Sequence, residues 1–156
     1  MKHYLVKMLT LAVLSAGIVT PVFADAIDDT IKARQSYYQL IKFNFGQLVA
    51  IVKGEVEYNA EAAQNAADNL KAISTLHIGP LYPKGSDNVA KKGKTRAQPN
   101  IWSDFAGVSE IGGKWRTAIG DLQTVASNGK DALAPAVGAL GAQCKACHEK
   151  YRAKDF

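Results

Sequence analysis

The chain has almost no methionine and very little cysteine. Its methionines are Met1 and Met8, and its cysteines are Cys144 and Cys147, in a sequence of 156 residues. Two cysteines exclude a disulfide-dense scaffold, and five prolines with thirteen glycines are too few for a collagen-like or low-complexity chain. With 47% hydrophobic and 21% charged residues, the composition is that of an ordinary globular protein, and the length suits one domain.

Residues 1–24 have the pattern of a secretory signal peptide that is cleaved. Lys2 and Lys7 precede an apolar run, residues 8–19. This run is shorter than the about 20 apolar residues that are needed to span a bilayer. We therefore predict a mature domain over residues 25–156, located in the periplasm, with 17 basic and 14 acidic residues. This small excess of positive charge is not typical of nucleic-acid-binding proteins, so we expect no nucleic acid and, after cleavage, no membrane partner.

Four stretches repeat apolar residues every three or four positions, which predicts amphipathic helices, and none alternates like a β-strand. The first runs from Ile27 to Val52, Asn59 is expected to cap the second, and Asp131 is expected to cap the fourth. The inward positions of the third and fourth are Phe105, Val108, Ile111, Trp115, Ile119, Leu122 and Val125, then Leu133, Val137, Leu140, Cys144, Cys147 and Tyr151. A long aperiodic loop, residues 78–100, joins the second and third, so the pattern predicts an all-α, antiparallel four-helix bundle.

The fourth predicted helix contains the motif that points to a chemistry, a Cys-x-x-Cys-His sequence formed by Cys144, Cys147 and His148. At 100° per residue, these three side chains fall within about 100° of one helical face. Two sulfurs can then bond the vinyl groups of a porphyrin while the imidazole reaches its iron. The motif therefore predicts one covalently attached haem c per chain, with His148 as an axial ligand of the iron.

Other uses of two closely spaced cysteines fit less well. A thioredoxin-type dithiol lies at a helix start in a βαβ context, whereas this motif is late in a chain of predicted helices. A structural zinc site needs four ligands, and beyond residue 24 the only histidine besides His148 is His77. A disulfide between these cysteines would close a loop too short to constrain much of the chain.

Taken together, these features resemble the cytochrome c′ family, also called the class II cytochromes c. The resemblance rests on residues 144–152, on the string of residues 34–38 in the first helix, and on Ile101 and Trp102 at the start of the third helix. The four-helix pattern with one long loop agrees with it. The likeness covers essentially all of residues 25–156.

The resemblance implies roles for five further residues. Arg34 and Gln35 contact the haem propionates, with Thr95 of the long loop as a third contact. Tyr38 faces the sixth coordination position of the iron, and Arg152 lies beside the proximal imidazole. From sequence alone, Arg34 also fits a snorkelling side chain, Tyr38 a core aromatic and Arg152 a solvated cation at a helix end.

The sixth coordination position is expected to be open. The related low-spin proteins have a methionine in the region of Tyr38, and residues 25–156 contain none. We therefore expect a five-coordinate, high-spin iron that binds nitric oxide or carbon monoxide. Electron transfer is the second hypothesis, and a dedicated one-electron carrier with a filled sixth position is the alternative. Because no catalytic acid–base set is visible, we do not expect an enzyme.

Two kinds of protein partner are also considered. Five cations in a short stretch of the long loop suggest docking of an acidic redox partner, although such a run also fits a solvated loop: Lys84, Lys91, Lys92, Lys94 and Arg96. The alanine-rich second helix is compatible with a homodimer, because small residues allow another backbone to approach closely.

Overall fold

The computed structural model describes residues 22–156, which form four helices packed as an antiparallel bundle. The helices are α1 (Val22–Lys53), α2 (Ala60–Ser74), α3 (Phe105–Val125) and α4 (Lys130–Tyr151). Residues 1–21, which hold most of the predicted signal peptide, lie outside the described part of the chain. The described residues form no β-strand, only an isolated bridge between the long loop and the chain after α4. The predicted fold class is confirmed.

The apolar core lies at one end of the bundle. Its largest fully buried side chains come from the second half of α1, from α2, from the second half of α3 and from the first half of α4: Leu48, Leu70, Ile119, Leu122, Leu133 and Leu140. Because the helices are antiparallel, these segments meet at the same end. Near the opposite end, Tyr38 of α1 lies close enough to Cys147 of α4 for a charge on that cysteine to raise the pKa of Tyr38, and Arg34 of α1 lies beside Tyr82 of the long loop. In residues 22–156, no helix is both long and apolar enough to cross a bilayer.

The helix ends agree with the sequence at some positions and differ at others. Asn59 caps α2 by accepting a hydrogen bond from the backbone N–H of Ala62 at 2.8 Å, as predicted. The prediction for Asp131 is wrong, because the N-cap of α4 is Gly129, whose φ of 101° favours glycine. Asp131 instead lies in the first helical turn, where its charge favours the helix dipole. Phe105, predicted to face inward, is the first residue of α3 and is 79% exposed.

The long loop is folded back onto the ends of α1 and α4. It contains two short 3₁₀ turns, Gly79–Leu81 and Pro99–Ile101. The backbone N–H of Gln98 donates to the carbonyl of Tyr151 at 3.0 Å, and that of Ala153 donates to the carbonyl of Arg96 at 2.8 Å. These bonds hold the loop beside the C-terminal end of α4, where the predicted haem motif is located.

Candidate haem site

The two cysteines and the histidine of the motif lie in the last turns of α4. Both thiols are free and partly buried, and His148 is at the surface. A pocket of about 480 Å³ follows this side of the helix and is lined by Gly141, Cys144, His148 and Arg152 among others. The structure therefore places one thiol of the motif and its imidazole on a common cavity.

The surroundings of the motif keep all three groups in their neutral form. Burial raises the pKa of the Cys144 thiol, although a hydrogen bond with Trp115 opposes this effect. Burial also raises the pKa of Cys147, and the neighbouring Cys144 adds to the rise. Partial desolvation lowers the pKa of His148, and the Arg152 cation lowers it further. A neutral imidazole is the form that binds a metal.

Arg152 is held beside the imidazole by the backbone that ends α4. Its φ of −121° and ψ of 123° are extended, and its backbone forms the bridge to Ala97 of the long loop. The side-chain Nη1 atom is 3.4 Å from Nε2 of His148. Arg152 therefore lies beside the imidazole, as predicted. The bridge to Ala97 of the long loop fixes the backbone direction at Arg152 and so places its side chain next to His148.

Arg34 is buried, with 4% of its surface exposed, and it binds the long loop. Nη1 donates to the carbonyl of Leu81 at 3.2 Å and to Oγ of Ser86 at 3.0 Å. Nη2 donates to the carbonyl of Ser86 at 2.7 Å and to Oγ1 of Thr95 at 3.0 Å. The guanidinium also lies 4.8 Å from the centre of the Tyr82 ring. These bonds use all four terminal N–H groups, so Nε–H is the donor left for a propionate.

Thr95 and Gln35 lie next to Arg34 at the same junction of α1 and the loop. Thr95 is 4% exposed, and its hydroxyl oxygen accepts from Arg34 and, at 3.2 Å, from the backbone of Ala97. Its own O–H has no acceptor among the described residues. Gln35 is exposed and donates to the carbonyl of Lys94 at 2.8 Å. The three residues predicted to contact the propionates are therefore brought together.

Tyr38 is partly exposed, whereas the side chain of the preceding residue, Tyr37, is buried in the core. Tyr37 is 7% exposed, whereas Tyr38 is 42% exposed and its ring meets that of Tyr37 edge to face at 5.1 Å. The Tyr38 hydroxyl is 2.7 Å from the hydroxyl of Tyr82. Desolvation by surrounding protein atoms is the main cause that raises its pKa, and Tyr82 and Cys147 raise it further. An aromatic side chain with an exposed face near Cys147 fits a group that is attached there.

Two residues of this region were not predicted from the sequence, Tyr82 and Ser86. Both lie in the aperiodic loop, where no spacing distinguishes a residue that faces the site from one that faces water. The one indication in the sequence is Arg34, because a charge at an inward position of a helix needs oxygen acceptors from another segment. It does not indicate which loop residues supply them.

The residues present fit a haem group. Within residues 22–156, no three His, Cys, Asp or Glu side chains come close enough to hold a metal ion by themselves. The site instead offers one imidazole beside two unpaired thiols, and a porphyrin supplies the iron ligands that the protein lacks. Arg34 is a buried cation for which no described carboxylate forms an ion pair, and Arg34 and Thr95 each retain one donor suited to a propionate.

Comparison with known proteins places these features in a family. The family model described as Cytochrome C′ matches residues 29–152. The cytochrome c′ of Cereibacter sphaeroides is 34% identical over 95% of this chain and 99% of its own length. The cytochrome c′ of Allochromatium vinosum is 34% identical over 99% of this chain and 100% of its own. A solved cytochrome c′ from Rhodobacter sphaeroides superposes with a TM-score of 0.80 at 35% identity, covering 82% of this chain and 98% of its own.

Some solved relatives hold gases. One structure of cytochrome c′ from Alcaligenes xylosoxidans is a carbon monoxide-bound variant, with a TM-score of 0.71 and 32% identity over 82% of this chain and 97% of its own. Another is a ferrous variant with bound nitric oxide, with a TM-score of 0.70 and 31% identity over 81% of this chain and 97% of its own. A further cytochrome c′, 36% identical with a TM-score of 0.75, is described as having an unusual ligand-controlled dimer dissociation. The matched length, the four-helix fold and the haem motif agree, and the chain belongs to the cytochrome c′ family of c-type haem proteins.

Proposed function

We propose that this chain is a periplasmic gas-binding haem protein with one haem c per chain. Cys144 and Cys147 form the thioether bonds, and His148 is the only protein ligand of the iron. The observation that carries the proposal is the lack of a methionine anywhere in residues 9–156. Family membership supports it, because the resemblance assigns Tyr38 to the position that faces the sixth ligand. The remaining histidine of the domain, His77, is exposed beyond the end of α2.

Each site residue has a part in this function. Arg34, Gln35 and Thr95 orient the haem through its propionates. The Arg152 cation disfavours protonation of the His148 imidazole and so keeps it available as a ligand. Tyr38 limits the space at the sixth position, which favours small diatomic ligands. Haem iron supplies the ligand-binding and redox chemistry.

Spectroscopy of the purified holoprotein tests the proposal. We expect high-spin haem spectra near neutral pH in both oxidation states, and a change of the ferrous spectrum on addition of nitric oxide or carbon monoxide. A low-spin ferric spectrum of a methionine or bis-histidine type would refute the open sixth position. The matched variants are His148→Ala, which should lose the proximal ligand, and His77→Ala, which should keep the native spectrum.

Electron transfer is the second candidate function, and the cations of the long loop are the candidate docking surface for a redox partner. Lys91 and Lys94 of the long loop both form ion pairs with Asp28 of α1. Their charges therefore help to hold the loop on the helix. Lys92 and Arg96 are the nearby loop cations for docking an acidic redox partner, and charge reversal at Lys92 should slow reduction by that partner without changing gas binding.

A homodimer is the proposed assembly. Large apolar side chains are exposed on α1 and just after it, with Leu40 53%, Phe43 67% and Val56 55% exposed. A groove of about 430 Å³ between α1 and α2 is lined by Phe43, Val56 and Ala62 among others. Sedimentation velocity tests this assembly, because Phe43→Glu should give a monomer and the neighbouring Lys42→Glu should not.

A further inference from the structure

The turn between α3 and α4 contains a chemically labile pair of residues, Asn128 and Gly129. Asn128 is the only asparagine of the sequence that is followed by glycine. Asparagine is heat-labile because the backbone nitrogen of the next residue can attack its side-chain amide. A following glycine has no side chain to hinder this attack. Asn128 is also exposed, so water reaches its amide. The pair therefore meets the chemical requirements for deamidation.

The fold requires the glycine of this pair. Gly129 is the N-cap of α4, and its φ of 101° with ψ of 161° is a conformation that residues with a side chain rarely adopt. Replacing the glycine would remove the labile pair only by straining the start of α4. The chain thus keeps a reactive sequence at this turn, and a restraint on the reaction can come from the contacts that hold the two residues.

Tyr58, in the connection between α1 and α2, provides such a contact. The backbone N–H of Gly129 donates to the Tyr58 hydroxyl at 2.8 Å. That hydroxyl donates in turn to the carbonyl of the buried Ala126 at 3.1 Å, and the Tyr58 ring packs against the core. The hydroxyl is therefore fixed in place. The nitrogen of Gly129 must break its hydrogen bond before it can lose its proton and move toward the side chain.

The side-chain amide of Asn128 is held less firmly than the nitrogen that attacks it. Its Nδ2 atom donates to the carbonyl of Thr124 at 3.3 Å, which is longer than the usual N–H···O distance. Of the two reacting groups, the backbone nitrogen of Gly129 thus has the stronger contact. The Tyr58 hydroxyl is accordingly the group whose removal should change the reaction most.

We propose that Asn128 is a modification site, where the side-chain amide is lost, and that Tyr58 restrains this reaction in the folded protein. In the first step, the nitrogen of Gly129 bonds to Cγ of Asn128 and the bond from Cγ to Nδ2 breaks. Ammonia leaves with the proton of the Gly129 nitrogen, and a cyclic succinimide remains. In the second step, water adds to either carbonyl of the ring and opens it, so the residue becomes aspartate or isoaspartate.

The modification acts at the end of the bundle away from the haem motif. Isoaspartate adds a methylene group to the main chain directly before the N-cap of α4, which moves the N–H of Gly129 away from the Tyr58 hydroxyl. This hydrogen bond joins the α1–α2 connection to the α3–α4 turn. We therefore expect the modified protein to be less stable but to keep its haem spectrum.

Mass spectrometry of the holoprotein during incubation at mildly alkaline pH tests the proposal, because conversion of the amide to an acid raises the mass of the peptide that contains residue 128. Tyr58→Phe keeps the ring and removes the hydroxyl, and we expect the amide to be lost about fivefold faster, the effect of one missing hydrogen bond. In the urea-unfolded chain, the native protein and Tyr58→Phe should react at the same rate.

Tyr151→Phe is the matched control. It also removes a hydroxyl that forms a hydrogen bond, here with Asp104 at the other end of α4, and the amide of Asn128 should be lost at the native rate. An amide that is retained even in the urea-unfolded chain would overturn the modification site. A native rate in Tyr58→Phe would overturn the role of Tyr58. An equal acceleration in Tyr151→Phe would overturn it as well, because general loosening of the bundle would then explain the effect.

Ion exchange isolates the modified protein through its added negative charge and tests the consequence for stability. The modified fraction should unfold at a lower urea concentration than the unmodified fraction, with the native haem spectrum in the folded state. An unchanged urea midpoint would overturn the expected effect on the turn, and a changed haem spectrum would show that the effect reaches the other end of the bundle and so overturn its confinement to this one.

Discussion

The guanidinium of Arg34 is buried among neutral oxygen atoms of the long loop. Removing a charge from water is costly, and here the hydrogen bonds to Ser86 and Thr95, together with the Tyr82 ring, compensate for that cost. Burial is accordingly the main cause that lowers the pKa of Arg34. A residue that was expected to serve the haem propionates therefore also fixes the loop that carries Thr95 and Tyr82.

Replacing Arg34 by alanine should destabilise the protein strongly. Several oxygen acceptors, including both oxygens of Ser86, would lose their donor inside the protein, which we expect to lower the free energy of unfolding by about 3 kcal/mol. Urea denaturation measures this change. The control is Gln35→Ala, whose exposed side chain makes a single hydrogen bond and whose loss should cost less than about 1 kcal/mol. Equal effects of the two variants would contradict the structural role of Arg34.

The residues of the candidate haem site differ in how far their positions could be predicted from the sequence. Cys144, Cys147 and His148 are close in the chain, so helix geometry alone puts them together. Arg34 is also identifiable from the sequence, because a charged residue occupies an apolar position of the first helix. Tyr82 lies 44 residues from its partner Tyr38, in a loop without period, and nothing local indicates that their hydroxyls meet. Long-range hydrogen bonds of this kind leave no pattern in the sequence.

The ends of α3 and α4 are joined by a small cluster around Asp104. This carboxylate caps α3 by accepting from the backbone N–H of Gly107 at 3.0 Å. It also accepts from the Tyr151 hydroxyl at 2.7 Å and pairs with Lys150 at 2.6 Å. One residue at a helix N-terminus thus fixes where the last turn of α4 ends.

Substituting Gly107 tests how tightly these elements fit. An added Cβ would come within 2.6 Å of a carboxylate oxygen of Asp104 and even closer to the Tyr151 hydroxyl. We expect Gly107→Ala to lower the free energy of unfolding by about 1–3 kcal/mol, because the whole cluster must move. Gly138→Ala, inside α4 with no atom within 4 Å of its Cβ, should instead raise it by about 0.5–1 kcal/mol. Thermal melts of both variants give the two signs, and a stable Gly107→Ala would contradict the packing.

The elements themselves were predictable because the helical period is strong in all four stretches. The errors occurred at helix ends, where local geometry decides. The N-cap of α4 is Gly129, which has a positive φ. The sequence pattern instead favoured the acidic side chain of Asp131 as the cap. Phe105 keeps the apolar spacing of α3, but it is the first residue of the helix and its side chain is largely exposed. Periodicity fixes the face of a helix more securely than its ends.

The stability of the whole molecule should fall at low pH through Asp104. Its hydrogen bonds with Lys150, Tyr151 and the Gly107 backbone lower its pKa from 3.8 to about 2. A lowered carboxyl pKa contributes stability that is complete above the ordinary value and is lost as the pH falls from 3.8 through about 2. Urea denaturation at several pH values should show this loss. Asp104→Asn should be less stable at neutral pH and should lose less stability over that interval; an unchanged pH dependence would contradict the assignment.

The two ends of the bundle should respond differently when haem is not attached. Large apolar side chains such as Leu48, Leu122 and Leu133 fill the far end, whereas the end that contains Tyr38 also buries the polar side chains of Arg34 and Thr95. Haem supplies a large apolar surface that this end otherwise lacks. Loss of haem should therefore loosen the motif end more than the far end, because local stability follows local burial.

Hydrogen exchange of a variant that cannot attach haem, Cys144→Ala/Cys147→Ala, tests this difference. Backbone amides of residues 144–151 and 31–38 should exchange much faster than in the holoprotein, while amides around Leu122 and Leu133 should remain protected, because those two side chains are fully buried in the far-end core. The single variant Cys144→Ala, which retains one attachment point, is the control and should stay closer to the holoprotein. Equal protection along all four helices in the double variant would show that the haem end packs without its cofactor, and equal loss everywhere would show that the bundle unfolds as one unit.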